Sequence, residues 1–309
     1  MAAVDVRPVR VIEVGGKGPE DVVVAEDGTV YTGLEDGRLL AIRPGDDAVT
    51  RVGDTGGRPL GIEFLADGRL LVADAHRGLL AVDPADGAVE PLVTTIDGTP
   101  MVFCNNAAVA SNGDIWFSDS STLHPIERWK NDLVEDTRTG RLMRRGADGS
   151  VTVVLGGLGF ANGVALAADE SYVCVAETAA RTVVRWWLTG PKAGSRDYLV
   201  TDLPGYPDNI ARGSDGLIWV TIASPTDPVV AGLQRGPMFL RRMATKVPEV
   251  LQPKPKHTVR VQAFDDEGNL RHDVHGDASR FHMVTGVREH GGQVWLGSLE
   301  TDVVGVIDL

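Results

Sequence analysis

Four side-chain oxygens recur at one offset from a repeated turn. Glu20, Asn105, Asn162 and Asp208 each stand eight residues before the second position of a tight turn. The same count in the two remaining repeats lands on Leu60 and Val284. Two carboxylates and two amide carbonyls aimed at one point suit a hard cation. Calcium takes about six to eight oxygen ligands and accepts flexible geometry. Magnesium demands a tighter octahedron, and zinc prefers His or Cys. Water or substrate would complete the shell. Without a cation, Glu20 and Asp208 would repel each other in a poorly solvated site. Any one of the four alone reads more readily as a strand-start cap; four at a single offset favour shared ligation.

The elements that must position these residues are six copies of one hairpin. Each is an apolar strand, a turn, and a strand rich in β-branched and aromatic residues. The copies run "DVVVAEDGTVYTG", "GIEFLADGRLLVAD", "NAAVASNGDIWFSD", "GVALAADESYVCVAE", "NIARGSDGLIWVTI" and "GVREHGGQVWLGSL". Gly holds the second turn position at 28, 68, 113, 216 and 292, and Glu170 holds it in the fourth copy. Two further strands follow most hairpins, as in "RLLAIRP" then "AVTRVG". Four strands per repeat describe an all-β, six-bladed β-propeller of four-stranded antiparallel blades. Residues 1–309 form one such domain, and a pair of β-sandwiches accounts less well for six copies. The last repeat ends on "DVVGVIDL" without an outer strand, and "VRVIEV" at Val9–Val14 has no blade of its own. The N-terminal strand is therefore expected to close the ring. The fifth repeat carries an insertion of approximately residues 225–257. Its "GPMFLRRMATKVPEVL" suits a short helix broken at Pro248, serving either as a lid or as a plain surface loop. Trp116, Trp219 and Trp295 fall on second strands and should pack between blades.

Composition narrows the function classes. The chain has 309 residues, 43% hydrophobic and 24% charged, with 37 Gly and 17 Pro, as a turn-rich β protein requires. Its net charge of -13 argues against a nucleic-acid partner, whose phosphates need a basic surface. Cys104 and Cys174 make no disulfide framework and read as buried thiols. No apolar run is long enough for a membrane span or a signal-peptide core, so a cytoplasmic protein without membrane contact is expected. Oligomeric state stays open.

The stretches "VADAHRGLLAVDP", "FCNNAAVASNGDIWFSDSS", "TGRLMRR", "GLGFANGVALAADESYVCVAETAARTVVRWWLTGPKAG" and "LPGYPDNIARGSDGLIWV" carry a resemblance. The chain resembles the SMP-30/gluconolactonase/strictosidine-synthase-like superfamily. It is most similar to the strictosidine-synthase-like branch, which includes the adipocyte plasma-membrane-associated proteins. In calcium-dependent members a first-blade Glu, a fourth-blade Asn and a fifth-blade Asp hold the metal, and a third-blade Asn touches metal or substrate. The resemblance thus implies Glu20, Asn162, Asp208 and Asn105, the positions the offset had selected. It also implies hydrolysis of a lactone or related ester, a small-molecule substrate, with Asp208 as base or nucleophile.

Asn209 would add a further oxygen, and Asn106 stands where related lactonases often carry Asp. Phe103 replaces an Arg of some sugar lactonases, which implies an apolar pocket. Thr285 occupies the position of the carboxylate that strictosidine synthase uses for condensation, so that chemistry is not expected. His282 stands where some relatives place a pocket His, suited to proton transfer at neutral pH. His76 and His124 follow strand ends and are candidates to line the pocket. Two alternatives stay open: a non-catalytic, calcium-stabilised ligand-binding propeller, and C–N bond-forming or isomerase chemistry.

Overall fold

The computed structural model describes residues 5–247, 252 and 254–309. Six sheets, antiparallel but for one edge strand, follow one another along the chain as six blades. The inner strands are Val22–Val24, Pro59–Phe64, Cys104–Val109, Ala161–Leu166, Gly205–Arg212 and Val284–His290. Each pairs with the next strand across a tight turn. Asp-Gly supplies the turn because the second position needs a positive φ, +85° at Gly28. Glu170 accepts the same conformation at +56°, and its carboxylate takes the Ser111 backbone N–H and hydroxyl of the preceding blade, both at 2.8 Å.

Apolar side chains on both faces of the blades interlock in six clusters, one between each pair of neighbours. Trp116, Trp219 and Trp295 lie in three of them, as interblade packing requires. Cys104 and Cys174 are free thiols buried in two others.

The ring closes at the N-terminus. Arg10–Glu13 pairs antiparallel with Val303–Asp308 and becomes the outer strand of the last blade. Just before it, Val6–Arg7 runs parallel to Leu270–Gly276 as a fifth strand on blade five. The terminus therefore ties two blades together.

The insertion of blade five lies between its second strand, Ile218–Pro225, and its third, Val259–Phe264. Helix α3, Met238–Ala244, is the expected short helix; Pro248 lies outside the described residues. Two further helices have no counterpart in the sequence pattern. In blade three, a 3-10 turn at Ile126–Arg128 leads into helix α1, Trp129–Glu135. In blade five, helix α2, Pro228–Arg235, opens on Asp227, whose carboxylate accepts the N–H groups of Val229 and Val230 with proline at the first turn.

One strand-start count needs correction. Blade six turns one residue sooner, with Gly291 and Gly292 between the paired His290 and Gln293. Its sixth ring member is therefore Thr285, not Val284.

Candidate functional site

Every inner strand from blade two to blade six carries a β-bulge near its start. The register slips between Pro59 and Ile62, Cys104 and Ala107, Ala161 and Val164, Pro207 and Ile210, and Val284 and Val287. A bulge re-aims side chains and breaks the strict alternation of a strand. Here it presents Leu60, Asn105, Asn162, Asp208 and Thr285 at corresponding places, and Glu20 stands just before the inner strand of blade one.

Glu20, Leu60, Asn105, Asn162 and Asp208 line one small cavity of 60 Å³ at the channel mouth. Glu20, Asn105 and Asn162 are buried, and Asp208 keeps part of its surface open. The Asn162 amide nitrogen donates to Thr178 Oγ1 at 3.2 Å. Its Oδ1, and that of Asn105, are buried with no hydrogen-bond partner. Buried amide oxygens are rarely left bare. Two bare ones beside two carboxylates form an electron-rich, donor-poor set, the chemistry a cation satisfies.

The electrostatics agree. Burial pushes the Glu20 carboxyl well above its ordinary range, the charges of Asp208 and Asp21 push further, and Asn209 and Arg58 oppose them. Asp208 is raised to about 7, chiefly by burial; the Asn162 amide pulls it down and Asp21 adds to the rise. A bound cation would hold both groups ionised.

Thr285 is fully buried and donates to the Glu20 carbonyl at 2.8 Å. It braces the backbone of a ring carboxylate and does not line the cavity. Asn106 and Asn209 sit one residue past the ring and belong to a layer below it. Asn106 Oδ1 accepts the Val164 N–H at 2.9 Å, and its nitrogen donates to Asp21 at 3.1 Å. Asp21 in turn accepts the N–H of Ile62 at 3.2 Å. These three residues alternate with Gly61, Gly163 and Gly286. A Cβ at those glycines would fall 2.6 Å from Asn106 Cα, 2.1 Å from the Ile210 nitrogen and 2.6 Å from Asp21 Cα. Asn106 therefore joins inner strands, whereas Asn209 donates its amide nitrogen to Glu20 and keeps its Oδ1 buried without a partner; neither lines the mouth cavity that a substrate would enter. Asn106 and Asp21 instead line a separate polar cavity of 180 Å³ in the channel, with Glu63, Arg212 and Arg288.

Two residues before the ring, a collar walls the mouth: Phe103, Phe160, Tyr206 and Met283, all lining the cavity. Phe103 meets Phe160 edge-on with centroids 5.5 Å apart. Phe160 and Met283 hold φ of +61° and +52°, a conformation bulky residues adopt only under constraint. Acids ending second strands fix the approach to the ring. Asp74 accepts the Arg58 N–H at 3.0 Å, Asp119 that of Phe103 at 2.9 Å, and Glu177 that of Gly159 at 2.8 Å. Phe103, Phe160 and Tyr206 of the collar join Ile126 and Leu133 of the blade-three excursion and Val230 of α2 in a seventh apolar cluster. Above it, α1, α2 and the residues after α3 enclose a larger apolar vestibule of 330 Å³. Phe103 was expected here. Phe160, Tyr206 and Met283 share its offset from the ring, a signal that singles them out in the sequence; in blade six that offset is visible only once Thr285 is the ring member.

The histidines divide differently from expectation. His282 lies at the rim, its ring stacked on His257 at 3.6 Å and its Nδ1 3.7 Å from Glu300 Oε2. Burial first, then His257, lowers its pKa. His76 pairs with Glu127 at 2.7 Å and His124 with Glu135 at 3.3 Å. None of the three lines the mouth cavity or the vestibule; His76 and His124 are held by acids near α1 instead.

Comparisons with known proteins fit this architecture. Residues 22–233 match the SMP-30/Gluconolactonase/LRE-like region. Strictosidine synthase-like 10 of Arabidopsis thaliana is 33% identical over 96% of this chain and 86% of its own length. The adipocyte plasma membrane-associated protein of Rattus norvegicus is 33% identical over 96% and 84%. Among solved structures, a gluconolactonase from Xanthomonas campestris superposes with a TM-score of 0.71 at 17% identity, covering 97% of this chain and 89% of that one. The calcium-binding protein regucalcin from Agrobacterium tumefaciens gives 0.70 at 14% identity, covering 99% and 95%. Among the described residues no helix is long and apolar enough to cross a membrane. The chain belongs to the SMP-30/gluconolactonase/LRE-like family.

Proposed function

We propose that this protein is a calcium-dependent hydrolase of apolar lactones or related esters. The observation that carries the reading is the pair of bare, buried oxygens of Asn105 and Asn162 beside the carboxylates of Glu20 and Asp208. That set fits a calcium ion, and these four residues would hold it. Bound there, calcium would polarise a carbonyl and stabilise the developing oxyanion.

The chain's own residues supply the rest. Asp208, partly open to the cavity, is placed to accept a proton from water or to attack the carbonyl carbon. Thr285 and Asn209 fix Glu20 from either side, through its carbonyl and its carboxylate. Phe103, Phe160, Tyr206 and Met283 give the substrate an apolar wall and keep bulk water from the reacting group. A sugar-acid lactone would find few polar partners on that wall. Strictosidine-type condensation lacks its carboxylate, since Thr285 is spent on the Glu20 carbonyl.

The test is a panel of aliphatic lactones and aryl esters, run with calcium and with chelator. Turnover that chelation abolishes and calcium restores supports the reading. No turnover on any member favours a ligand-binding propeller that uses calcium as a staple.

A further inference from the structure

The insertion of blade five has a surface unlike the rest of the molecule. Twelve large apolar residues are exposed among the described residues, and six of them fall in α2, α3 and the three residues after: Val229, Met238, Phe239, Leu240, Met243 and Val247. Phe239 and Met243, one helical turn apart, are each 63% exposed. Nothing in α3 is buried. The helix is nonetheless held firmly. Arg241 donates to the carbonyls of Gly236, Gln234 and Glu135, which turns the opposite face, with Phe239, Met243 and Arg242, outward.

The charge of this segment is also reversed. Residues 228–257 hold six Lys and Arg against a single Glu, in a chain whose net charge is -13. Arg242 lies between the apolar tips, and Arg235, Lys246, Lys254 and Lys256 flank them. We infer that this face docks on an anionic phospholipid surface, with Phe239 and Met243 dipping among the acyl chains and the cations meeting the headgroups. A mixture of exposed apolar tips and cations suits a membrane interface. A second copy suits it poorly, because a two-fold contact would set the cationic patch against itself. The negative charge elsewhere would be repelled by the same membrane, so the protein would bind with this face down. The vestibule, lined by Val229 and Val247 of this segment, would then open toward the lipid.

The test is co-sedimentation of the full chain with vesicles of phosphatidylcholine alone and of phosphatidylcholine with phosphatidylserine. The wild type should bind the second and not the first, and salt should weaken binding. Arg235→Glu/Lys246→Glu and Phe239→Ser/Met243→Ser should each lower the partition coefficient by roughly tenfold or more. All four positions are surface residues, so thermal melting and lactone turnover in solution should match the wild type, which separates this inference from the catalytic one. Absence of binding to anionic vesicles overturns it, as does undiminished binding by either double variant. A wild-type dimer that Phe239→Ser/Met243→Ser dissociates assigns the face to a second copy instead.

Discussion

The amide of Asn209 donates to both carboxylate oxygens of Glu20, at 3.2 and 3.1 Å, across 189 residues of sequence. It ties the first blade's ring acid to the fifth blade and holds that acid's oxygens in place without lining the mouth cavity itself. Removing a group that orients a metal ligand commonly weakens metal binding by about 10–100-fold. Asn209→Ala should therefore raise the calcium Kd by that order in calorimetric titration, with kcat at saturating calcium near wild type. An unchanged Kd would leave Asn209 a joint between strands only.

Asp208 is asked to do more than ligate. Asp208→Asn keeps an oxygen and nearly the same shape, but the amide can neither accept a proton nor attack a carbonyl. The expected loss is in kcat, by roughly 10²-fold or more, with calcium saturating. Asn162→Asp should retain the ion and the base while blunting the ion's charge, a milder loss. Wild-type kcat in Asp208→Asn would make it a ligand only and turn attention to His282 at the rim.

Stability should depend on pH in a way that calcium cancels. Asp208 rises from 3.8 to about 7 and Glu20 also rises, so between those limits the folded chain holds protons that the unfolded chain has released. Stability from these groups is present at low pH and is lost as pH climbs through about 7. Chelated protein should thus lose Tm from pH 5 to pH 8 relative to calcium-loaded protein, so the calcium-induced shift grows with pH. A shift that is constant or shrinking with pH contradicts this.

The collar should matter for stability as well as for substrate. Phe103 is buried against Phe160 and packs in the cluster with Ile126 and Leu133. Phe103→Ala should cost about 3 kcal/mol or somewhat more in urea unfolding and raise KM for bulky apolar esters. A cost below about 1 kcal/mol would mean the mouth cluster contributes little to the fold.

Much of the fold is legible because it repeats. Period-two apolar strands around Asp-Gly turns locate the hairpins, and the unpartnered "VRVIEV" locates the closure. Val6–Arg7 escapes notice because two residues carry no period. Helix α1 is too short to display one, and only the longer spacing between the third and fourth turns marks its presence. The ring is legible for the same reason as the hairpins, until blade six shortens its turn and Val284 is counted in place of Thr285. Side-chain direction is less accessible. Asn105 and Asn106 look equivalent in "CNNAAV", yet one faces the mouth and the other joins strands below, a distinction made by a bulge that no residue type announces. His76 and His124 stand beside the site in sequence, and Glu127 and Glu135 near α1 engage them.

The central claim is that four oxygens at the channel mouth hold one calcium ion. Its most direct measurement is calorimetric titration of calcium into metal-stripped protein, for the wild type and for Asn105→Leu/Asn162→Leu. The account predicts one ion per chain in the wild type, and an affinity lowered by at least about 10²-fold once the two bare oxygens are gone. A wild type that takes up no calcium, or a variant that binds it equally well, contradicts the account.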